Sequence, residues 1–226
     1  MAQSSKTRTR RERERQMRRD AILQAAREVF AKRGYEQATL DEIAQRAEFG
    51  KGTLYNYFPG GKEELLMVTL EQLYDNLEAL TKSIFQDAID SPETLLKSFQ
   101  QFITAHLRFF EENRDIFHLL IKEAHRLMLT QGKAQAQHLI LQRERLITHL
   151  VPVFTSAMEA GLLRPMDPHL VAHTLLGNIY GMMFAMHMKQ HCPLAKQTSP
   201  PLSSEEAATF LTSVLFEGLL NRTRNS

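Results

Sequence analysis

The sequence predicts an all-α protein with a small N-terminal helical domain followed by a larger helical domain. Three observations support this fold class. Apolar residues recur at spacings of three and four, no stretch sustains an alternation of apolar and polar residues, and glycine and proline mark the ends of the periodic segments. With 226 residues, 43% of them hydrophobic, the chain is long enough to form one large or two small cores.

The composition also excludes several classes of protein. Cys192 is the single cysteine, so neither an intramolecular disulfide nor a thiolate zinc cluster can form. The first residues are charged rather than apolar, unlike a signal peptide. The longest uncharged apolar stretch, 174–186, is shorter than the roughly 18 residues that indicate a membrane span. We therefore expect a soluble, cytoplasmic protein.

The charge is distributed unevenly along the chain. The net charge is +2 overall, but it is +4 over residues 1–70 and −2 over the remainder. The first 19 residues contain eight basic residues and two acidic ones. This pattern predicts a basic, flexible arm over residues 1–17 that binds a polyanion, although a solvated tail explains such an arm equally well.

Two helices are predicted before the short segment 51–58. The first runs from about Glu14 to Arg33 and ends at Gly34, a residue suited to a left-handed stop. The second begins at a capping box, in which the Thr39 hydroxyl accepts a free backbone N–H and Glu42 reaches back to the cap. Each helix carries an apolar stripe that can form a shared core.

The third predicted helix, Lys51–Phe58, is too short to be stable alone, so its neighbours must hold it in place. Leu54 and Phe58 share one side and can enter the core. The opposite side presents hydrogen-bonding groups suited to phosphates and base edges: Lys51, Gly52, Thr53, Tyr55, Asn56 and Tyr57. With the second helix it has the size and order of a helix-turn-helix, although an ordinary helical hairpin with a polar face remains open.

Six further helices are predicted from caps, periodicity and breaks. Their expected ranges are Lys62–Ile89, Pro92–Glu112, Asp115–Leu129, Ala134–Ala160 (interrupted at Pro152), Pro168–Gln190 and Ala207–Leu220. Ser91 and Ser203 are the expected N-caps of the second and last of these, and His191–Ser203 is expected to be a loop.

Residues 18–70 resemble the N-terminal domain of the TetR/AcrR family of transcriptional regulators. The resemblance is carried by motifs in matching order and spacing: ILQAAREVF (22–30), GY (34–35), TLDEIAQRA (39–47), KGTLYNYFP (51–59) and KEEL (62–65). It implies a helix-turn-helix DNA-binding domain over 18–65 and an effector-binding and dimerisation domain over 66–226. Two departures are a turn glycine replaced within Glu48–Gly50 and a link before Lys62 that is one residue longer.

The resemblance also implies roles for particular residues. Lys51, Gly52, Thr53, Tyr55, Asn56 and Tyr57 match recognition-helix positions that contact DNA. Thr39 and Lys62 match positions that hold phosphates at helix N-termini.

The C-terminal part is expected to bind an effector and a second copy of the chain. Soft apolar side chains favour an apolar or aromatic effector, with Asn178 as an orienting group; plain core packing explains the same residues. The candidate ligand-binding residues are Phe109, Phe110, Phe117, Phe154, Met158, Asn178 and Met182. Gly177 and Gly181, four residues apart, predict a close helix approach that forms half of an intermolecular four-helix bundle.

The leading interpretation is a ligand-responsive repressor that binds a palindromic operator as a homodimer and leaves it when the effector binds. One alternative is a metal-responsive regulator that uses His187, His191 and Cys192. Another, from a different class, is a membrane-surface or scaffold protein that uses the basic arm. The sequence shows no phosphate loop, nucleophile elbow or persuasive acid pair, so we expect neither an enzyme nor a cofactor.

Overall fold

The computed structural model of the protein describes residues 9–85, 91–129, 133–191 and 202–217. In these ranges the regular structure is helical, which confirms the all-α prediction. The helices are α1 Arg10–Gln37, α2 Leu40–Arg46, α3 Lys51–Tyr57, α4 Gly61–Ile84, α5 Pro92–Glu112, α6 Arg114–Leu129, α7 Lys133–Glu159, α8 Pro168–His191 and α9 Ser204–Thr212. A wider π-helical turn, Ser213–Glu217, continues α9, and the rest of the predicted last helix lies outside the described residues.

Helix α1 begins earlier than the sequence interpretation expected. Thr9 forms a capping box: its hydroxyl accepts the Glu12 N–H at 3.3 Å, and the Glu12 carboxylate accepts the Thr9 N–H at 2.8 Å. Arg10 and Glu14 add an ion pair of 2.8 Å one turn apart. The part of the predicted flexible arm from residue 10 to 17 is therefore helical, and residues 1–8 lie outside the described ranges.

Gly34 interrupts α1 as its conformational freedom predicts. Its φ of 74° and ψ of 165° are not helical, and one further turn follows before Ala38. A side chain at this position would be strained, because L-residues rarely adopt such a φ.

The helices form two compact units. The first unit consists of residues 1–73 and 115–138, and the second of residues 74–114 and 139–226. The division falls within α4, after Leu73, rather than after residue 65, and the first unit takes in most of α6.

The first unit has a tight core behind its three N-terminal helices. The fully buried side chains include Ile22, Ala26, Phe30, Ile43, Leu54 and Phe58. Two ion contacts connect α6 to α1: the Arg27 guanidinium donates to both Asp115 oxygens, at 3.1 and 3.3 Å, and Arg126 Nε lies 3.6 Å from the Glu36 carboxylate. Helix α6 is therefore an integral part of this unit.

The second unit is organised around one face of α5. Its buried residues recur at spacings of three and four: Phe99, Phe102, Ile103, His106 and Phe110. Phe154 of α7 stacks on Phe99 with the ring centroids 4.9 Å apart. Helix α9 is held on α5 by hydrogen bonds from Gln100 to Thr209 and from Ser204 to Glu111, both 2.9 Å.

None of the helices in the described ranges is both long enough and apolar enough to cross a membrane.

Candidate nucleic-acid interface

The turn between α2 and α3 holds Glu48 in a backbone conformation that is unfavourable for most residues other than glycine. Glu48 has a φ of 60°, in the left-handed region, at the position where the sequence departs from the expected glycine. Non-glycine residues pay roughly 1 kcal/mol for this conformation. The Phe49 N–H donates to the Ala44 carbonyl at 2.9 Å and closes the turn despite that strain. Gly50 then serves as the N-cap of α3 and contributes no side-chain hydrogen bond.

Helix α3 separates its apolar anchors from its polar face as predicted. Leu54 and Phe58 are 0% exposed. Lys51, Gly52, Tyr55 and Asn56 are exposed, and Thr53 and Tyr57 are half-buried. The groups able to contact a duplex therefore point away from the protein, although their individual roles in binding DNA stay predictions.

Lys51 is paired within the protein. Its ammonium group donates to the Asp41 carboxylate at 2.9 Å, and this hydrogen bond raises the Lys51 pKa. Both side chains are half or more exposed, so solvent screens the pair. A DNA phosphate can replace Asp41 as the partner without a large desolvation cost.

The structure gives Lys62 a different role from the expected phosphate contact. Its ammonium group donates to the carbonyls of Tyr35, Glu36 and Ala38, at 2.9, 3.2 and 3.1 Å. An ammonium has three donors, so this set uses all of them. Lys62 thus joins the start of α4 to the end of α1.

Two cationic side chains, Lys62 and Arg126, lie against the ring of Tyr35. The sequence interpretation did not predict this cluster. The Lys62 Nζ is 4.6 Å from the centroid of the Tyr35 ring, and the Arg126 guanidinium carbon is 5.4 Å from it. Burial is the main cause that raises the Tyr35 pKa. Residues from α1, α4 and α6 therefore meet at one aromatic ring.

Thr39 performs the predicted capping function. Its hydroxyl accepts the Glu42 N–H at 3.2 Å, and its own N–H donates to the Glu42 carboxylate at 3.3 Å. The side chain is exposed. The expected phosphate contact of Thr39 stays a prediction.

Two ion pairs that the sequence did not suggest connect α2 to α1. Arg46 lies 2.5 Å from Glu28, and Arg33 lies 3.3 Å from Glu42. The Glu28 pKa is lowered chiefly by a hydrogen bond from Gln24, with Arg46 second. Because their side chains are partly exposed, these pairs add only modestly to the buried core that holds α2 against α1.

Two of the predicted ligand-binding residues border different cavities in the described part of the chain: Phe110 lines one and Phe154 lines another. Phe110 and Phe154 are fully buried core residues, whereas Phe109, Met158 and Met182 are half-buried. Phe117 is buried on α6 in the first unit, and its role in binding an effector stays a prediction. Asn178 differs from the expectation of an inward orienting group, because it is exposed and its amide donates to the Thr174 carbonyl at 2.8 Å within its own helix.

A buried histidine is the polar group that the sequence interpretation missed in the second unit. His106 is 1% exposed, and its Nδ1–H donates to the Phe102 carbonyl at 2.9 Å. Its Nε2 lies 3.5 Å from the hydroxyl of Thr81, which donates to the Leu77 carbonyl at 2.8 Å. Burial lowers the His106 pKa to about 4, so the ring is neutral at pH 7.

The metal-binding alternative gains no support. The described residues contain no group of three or more His, Cys, Asp or Glu side chains placed to hold a metal ion. Cys192 lies outside the described residues, and the His191 side chain is likewise not described.

Helix α8 exposes an apolar and small-residue stripe, here called the α8 stripe: Leu170, Thr174, Gly177, Gly181, Phe184 and Met188. The exposed fractions are 65% for Leu170, 53% for Phe184 and 40% for Met188. Within the described part of the chain, no atom outside α8 lies within 4 Å of a β-carbon built at Gly177 or Gly181. The predicted close helix approach therefore finds no partner among the described residues of the same chain.

The first unit defines the class: a helix-turn-helix protein whose second helix presents a polar face. Residues 22–67 match the model of the bacterial regulatory proteins of the tetR family. The HTH-type transcriptional regulator YhgD of Bacillus subtilis is 28% identical over 190 residues, which cover 80% of this chain and 90% of that protein. The repressor KstR of Mycolicibacterium smegmatis is 39% identical over 64 residues, 28% of this chain and 31% of KstR.

The fold agrees over most of the chain. The structure of FadR from Bacillus subtilis in complex with stearoyl-CoA superposes with a TM-score of 0.70 and 19% identity, covering 89% of this chain and 99% of FadR. The chain belongs to the tetR family of DNA-binding transcriptional regulators.

Proposed function

We propose that the protein is a repressor that binds a palindromic operator as a homodimer and releases it when a small effector with an apolar or aromatic part binds. The observation that carries the proposal is the exposed polar face of α3 above the buried anchors Leu54 and Phe58. Because the proposed partner is chromosomal DNA, we expect the protein to act in the cytoplasm.

The proposed docking places α3 in the major groove, as the second helix of a helix-turn-helix. Lys51 exchanges Asp41 for a backbone phosphate, and Tyr55 and Tyr57 add contacts to phosphate or sugar. Thr53 and Asn56 carry the hydrogen-bonding groups that read base edges. Gly52 has no atom within 4 Å of a built β-carbon, so its bare backbone can approach the duplex closely.

The homodimer is supported by the α8 stripe. Monomeric proteins rarely expose a continuous apolar patch of this kind, and a second copy of α8 can cover it. Gly177 and Gly181 allow two helix backbones to approach closely, which compensates the cost of glycine in a helix, about 1 kcal/mol each. A symmetric pair also explains how two copies of α3 reach the two halves of a palindrome.

The effector class is supported by the core of the second unit and by a fold neighbour. The neighbour FadR is seen with stearoyl-CoA, an effector with a long apolar chain. A small cavity of about 30 Å³ has an apolar side formed by Leu107, Phe110, Met183 and Met186, and Glu111, Arg114 and His187 also line it. It holds about one water molecule, so an acyl chain must displace side chains to enter. Methionines suit this because they adapt to irregular shapes.

The response to the effector needs two states with different effector affinity. Helix α4 contributes residues to both units, and most of α6 belongs to the first. We propose that effector binding moves α4 and α6 and thereby changes the separation of the two recognition helices in the dimer.

Selection of operators from a random duplex library tests DNA recognition. The wild-type chain should enrich one palindromic sequence, and Tyr55→Ala should weaken binding to it at least tenfold because a contact within the interface is lost. Gln101→Ala, an exposed change in the second unit, is the matched control and should bind normally. No enriched sequence, or unchanged affinity of Tyr55→Ala, would contradict the proposal.

Stearoyl-CoA, with free coenzyme A as its control, tests the effector class. At a hundred times Kd, a ligand that binds only the folded protein stabilises it by about 2.7 kcal/mol. This raises the melting temperature by roughly 5–10 °C for a chain of this size. The same ligand should release the selected operator in a mobility-shift assay; tighter operator binding would instead indicate an effector that promotes DNA binding.

A further inference from the structure

The face of α1 that is buried from Ile22 to Val29 carries arginines at its exposed N-terminal end. Spacings of four and three residues continue without a break along this face: Arg11, Arg15, Arg18, Ile22, Ala25, Val29. The last three side chains are buried and the first three, here called the arginine stripe, are exposed.

Neighbouring acids do not neutralise the arginine stripe. Glu12 is engaged with Thr9 in the N-terminal capping box, and Glu14 pairs with Arg10 rather than with Arg18, its other neighbour one turn away. Asp20 accepts a hydrogen bond from Gln16 at 2.7 Å. Between residues 9 and 20, no ion pair involves an arginine of the stripe. The stripe is therefore a local excess of positive charge.

The position of the stripe relative to the recognition helix is fixed by Arg19. Its guanidinium carbon lies 5.2 Å from the centroid of the Phe58 ring, and Phe58 is the residue that caps the end of α3. The stripe begins beside this contact and continues away from it for seven residues, or about 10 Å of helix.

We propose that the arginine stripe binds backbone phosphates of duplex DNA next to the segment contacted by α3, as a second contact region in each half-site. The proposal rests on the proposed function, because α3 positions the duplex. Guanidinium groups stay charged and bind phosphate through two parallel hydrogen bonds. The helix holds the three groups in fixed order, so fewer side-chain and backbone freedoms are lost than for a flexible arm.

The chemistry of the same segment disfavours a membrane surface as the partner. Helices that lie on membranes need an apolar face opposite their charges. Met17 is the only apolar residue between Arg10 and Asp20. An anionic surface without a buried apolar contact, such as DNA, fits this composition better.

The test compares two double variants that remove the same charge from opposite sides of one helix. Arg11→Ala/Arg15→Ala removes two members of the stripe, and Arg10→Ala/Arg13→Ala removes two arginines from the other side. Alanine is a strong helix former, so both variants should keep α1 intact, which far-ultraviolet circular dichroism checks. Affinity is measured against salt for a random-sequence duplex of roughly 30 base pairs, about three turns.

The stripe variant should reduce the slope of log affinity against log salt by about 1.8 per bound chain, since each lost phosphate contact contributes about 0.9. The control variant should change the slope by less than half as much. Preference for the selected operator should be unchanged in both, because phosphate contacts do not specify sequence. Equal slopes for the two variants would overturn the proposal.

The other outcomes separate this proposal from the proposed function. If the wild-type chain selects an operator and the stripe variant keeps the wild-type slope, the stripe proposal fails and the proposed function stands. If the wild-type chain selects no sequence, the proposed function fails. Binding of the wild-type chain to phosphatidylglycerol vesicles that is lost in the stripe variant, with an unchanged DNA slope, would identify a membrane as the partner and overturn the proposal.

Discussion

Helix α3 in the first unit and helices α5 and α8 in the second place polar and apolar side chains in opposite ways. In the first unit, Leu54 and Phe58 are buried while Lys51 and Asn56 are exposed. In the second unit, Phe184 is 53% exposed while the imidazole of His106 is buried. The first arrangement follows the ordinary balance of burial and hydration, and the second departs from it twice. Such departures indicate surfaces and groups that a partner or a conformational change uses.

The largest effect is expected on dimerisation, from a substitution in the exposed α8 stripe of the second unit. Phe184→Asp places a charge on the α8 stripe and should raise the dissociation constant of the dimer at least about 30-fold, equivalent to about 2 kcal/mol. Sedimentation velocity over a concentration series measures this. Leu141→Asp is the matched control, since Leu141 is 63% exposed on α7, away from the stripe. Equal dissociation of both variants, or a wild-type monomer, would refute the comparison.

The next largest effect distinguishes two lysines of the first unit. Lys62→Ala leaves three carbonyls without their donor and removes a cation from the Tyr35 ring, so the free energy of unfolding should fall by about 1–3 kcal/mol. Lys51→Ala removes an exposed pair and should lower DNA affinity with no measurable change in melting temperature. Urea unfolding and mobility shifts measure the two effects. The reverse pattern would restore the expected phosphate role of Lys62.

The buried histidine makes the second unit sensitive to acid. The folded-state pKa of His106 is lowered to about 4, below its ordinary value of 6.5, so the unfolded chain binds more protons between these values. Stability is therefore complete above about pH 6.5 and falls as the pH decreases towards 4, by about 1–2 kcal/mol between pH 7 and pH 5.

Urea unfolding at both pH values, in the wild-type chain and in His106→Asn, measures this. The asparagine amide can donate to the Phe102 carbonyl in place of Nδ1–H but does not titrate. The difference in stability between the two pH values should therefore be smaller in the variant. An identical pH dependence would show that other groups cause the loss.

The smallest effect concerns the turn of the helix-turn-helix. Glu48→Gly removes the cost of a left-handed conformation and should raise the free energy of unfolding by up to about 1 kcal/mol. Gln45→Gly, a similar substitution at an exposed position of α2, should instead lower the free energy of unfolding by about 1 kcal/mol. Thermal unfolding of both variants is the measurement; destabilisation by Glu48→Gly would mean that the Glu48 side chain makes a stabilising contact that outweighs the strain.

The sequence predicted those features that depend on neighbours within one turn. The start at Ser91 follows from the proline and the acidic residue directly after the cap. The helix starts at Thr39 and Ser203 follow from an N-cap and its glutamate partner three residues apart. The start of α1 had the same pattern in Thr9 and Glu12, but the surrounding run of arginines favoured a flexible arm instead. The anchors and polar face of α3 likewise followed from helical spacing.

Contacts between segments that are distant in the sequence have no comparable local pattern from which to predict them. Lys62 contacts the Tyr35 carbonyl 27 positions away, and Arg27 pairs with Asp115 over 88 positions. A lysine next to a helix start is equally suited to a phosphate and to a carbonyl cluster, so its role depended on where α1 ended. The effector site was predicted least well, because phenylalanine and methionine serve equally in a packed core and in a pocket.

The attachment of α6 to α1 has a practical consequence for anyone who builds hybrid regulators. An N-terminal fragment that ends at residue 65 would lack Asp115, the ion-pair partner of Arg27. It would also lack Arg126, which lies against the Tyr35 ring. Grafting onto a foreign sensor should therefore transplant residues 115–129 together with the N-terminal helices, even though residues 74–114 of the second unit intervene between them.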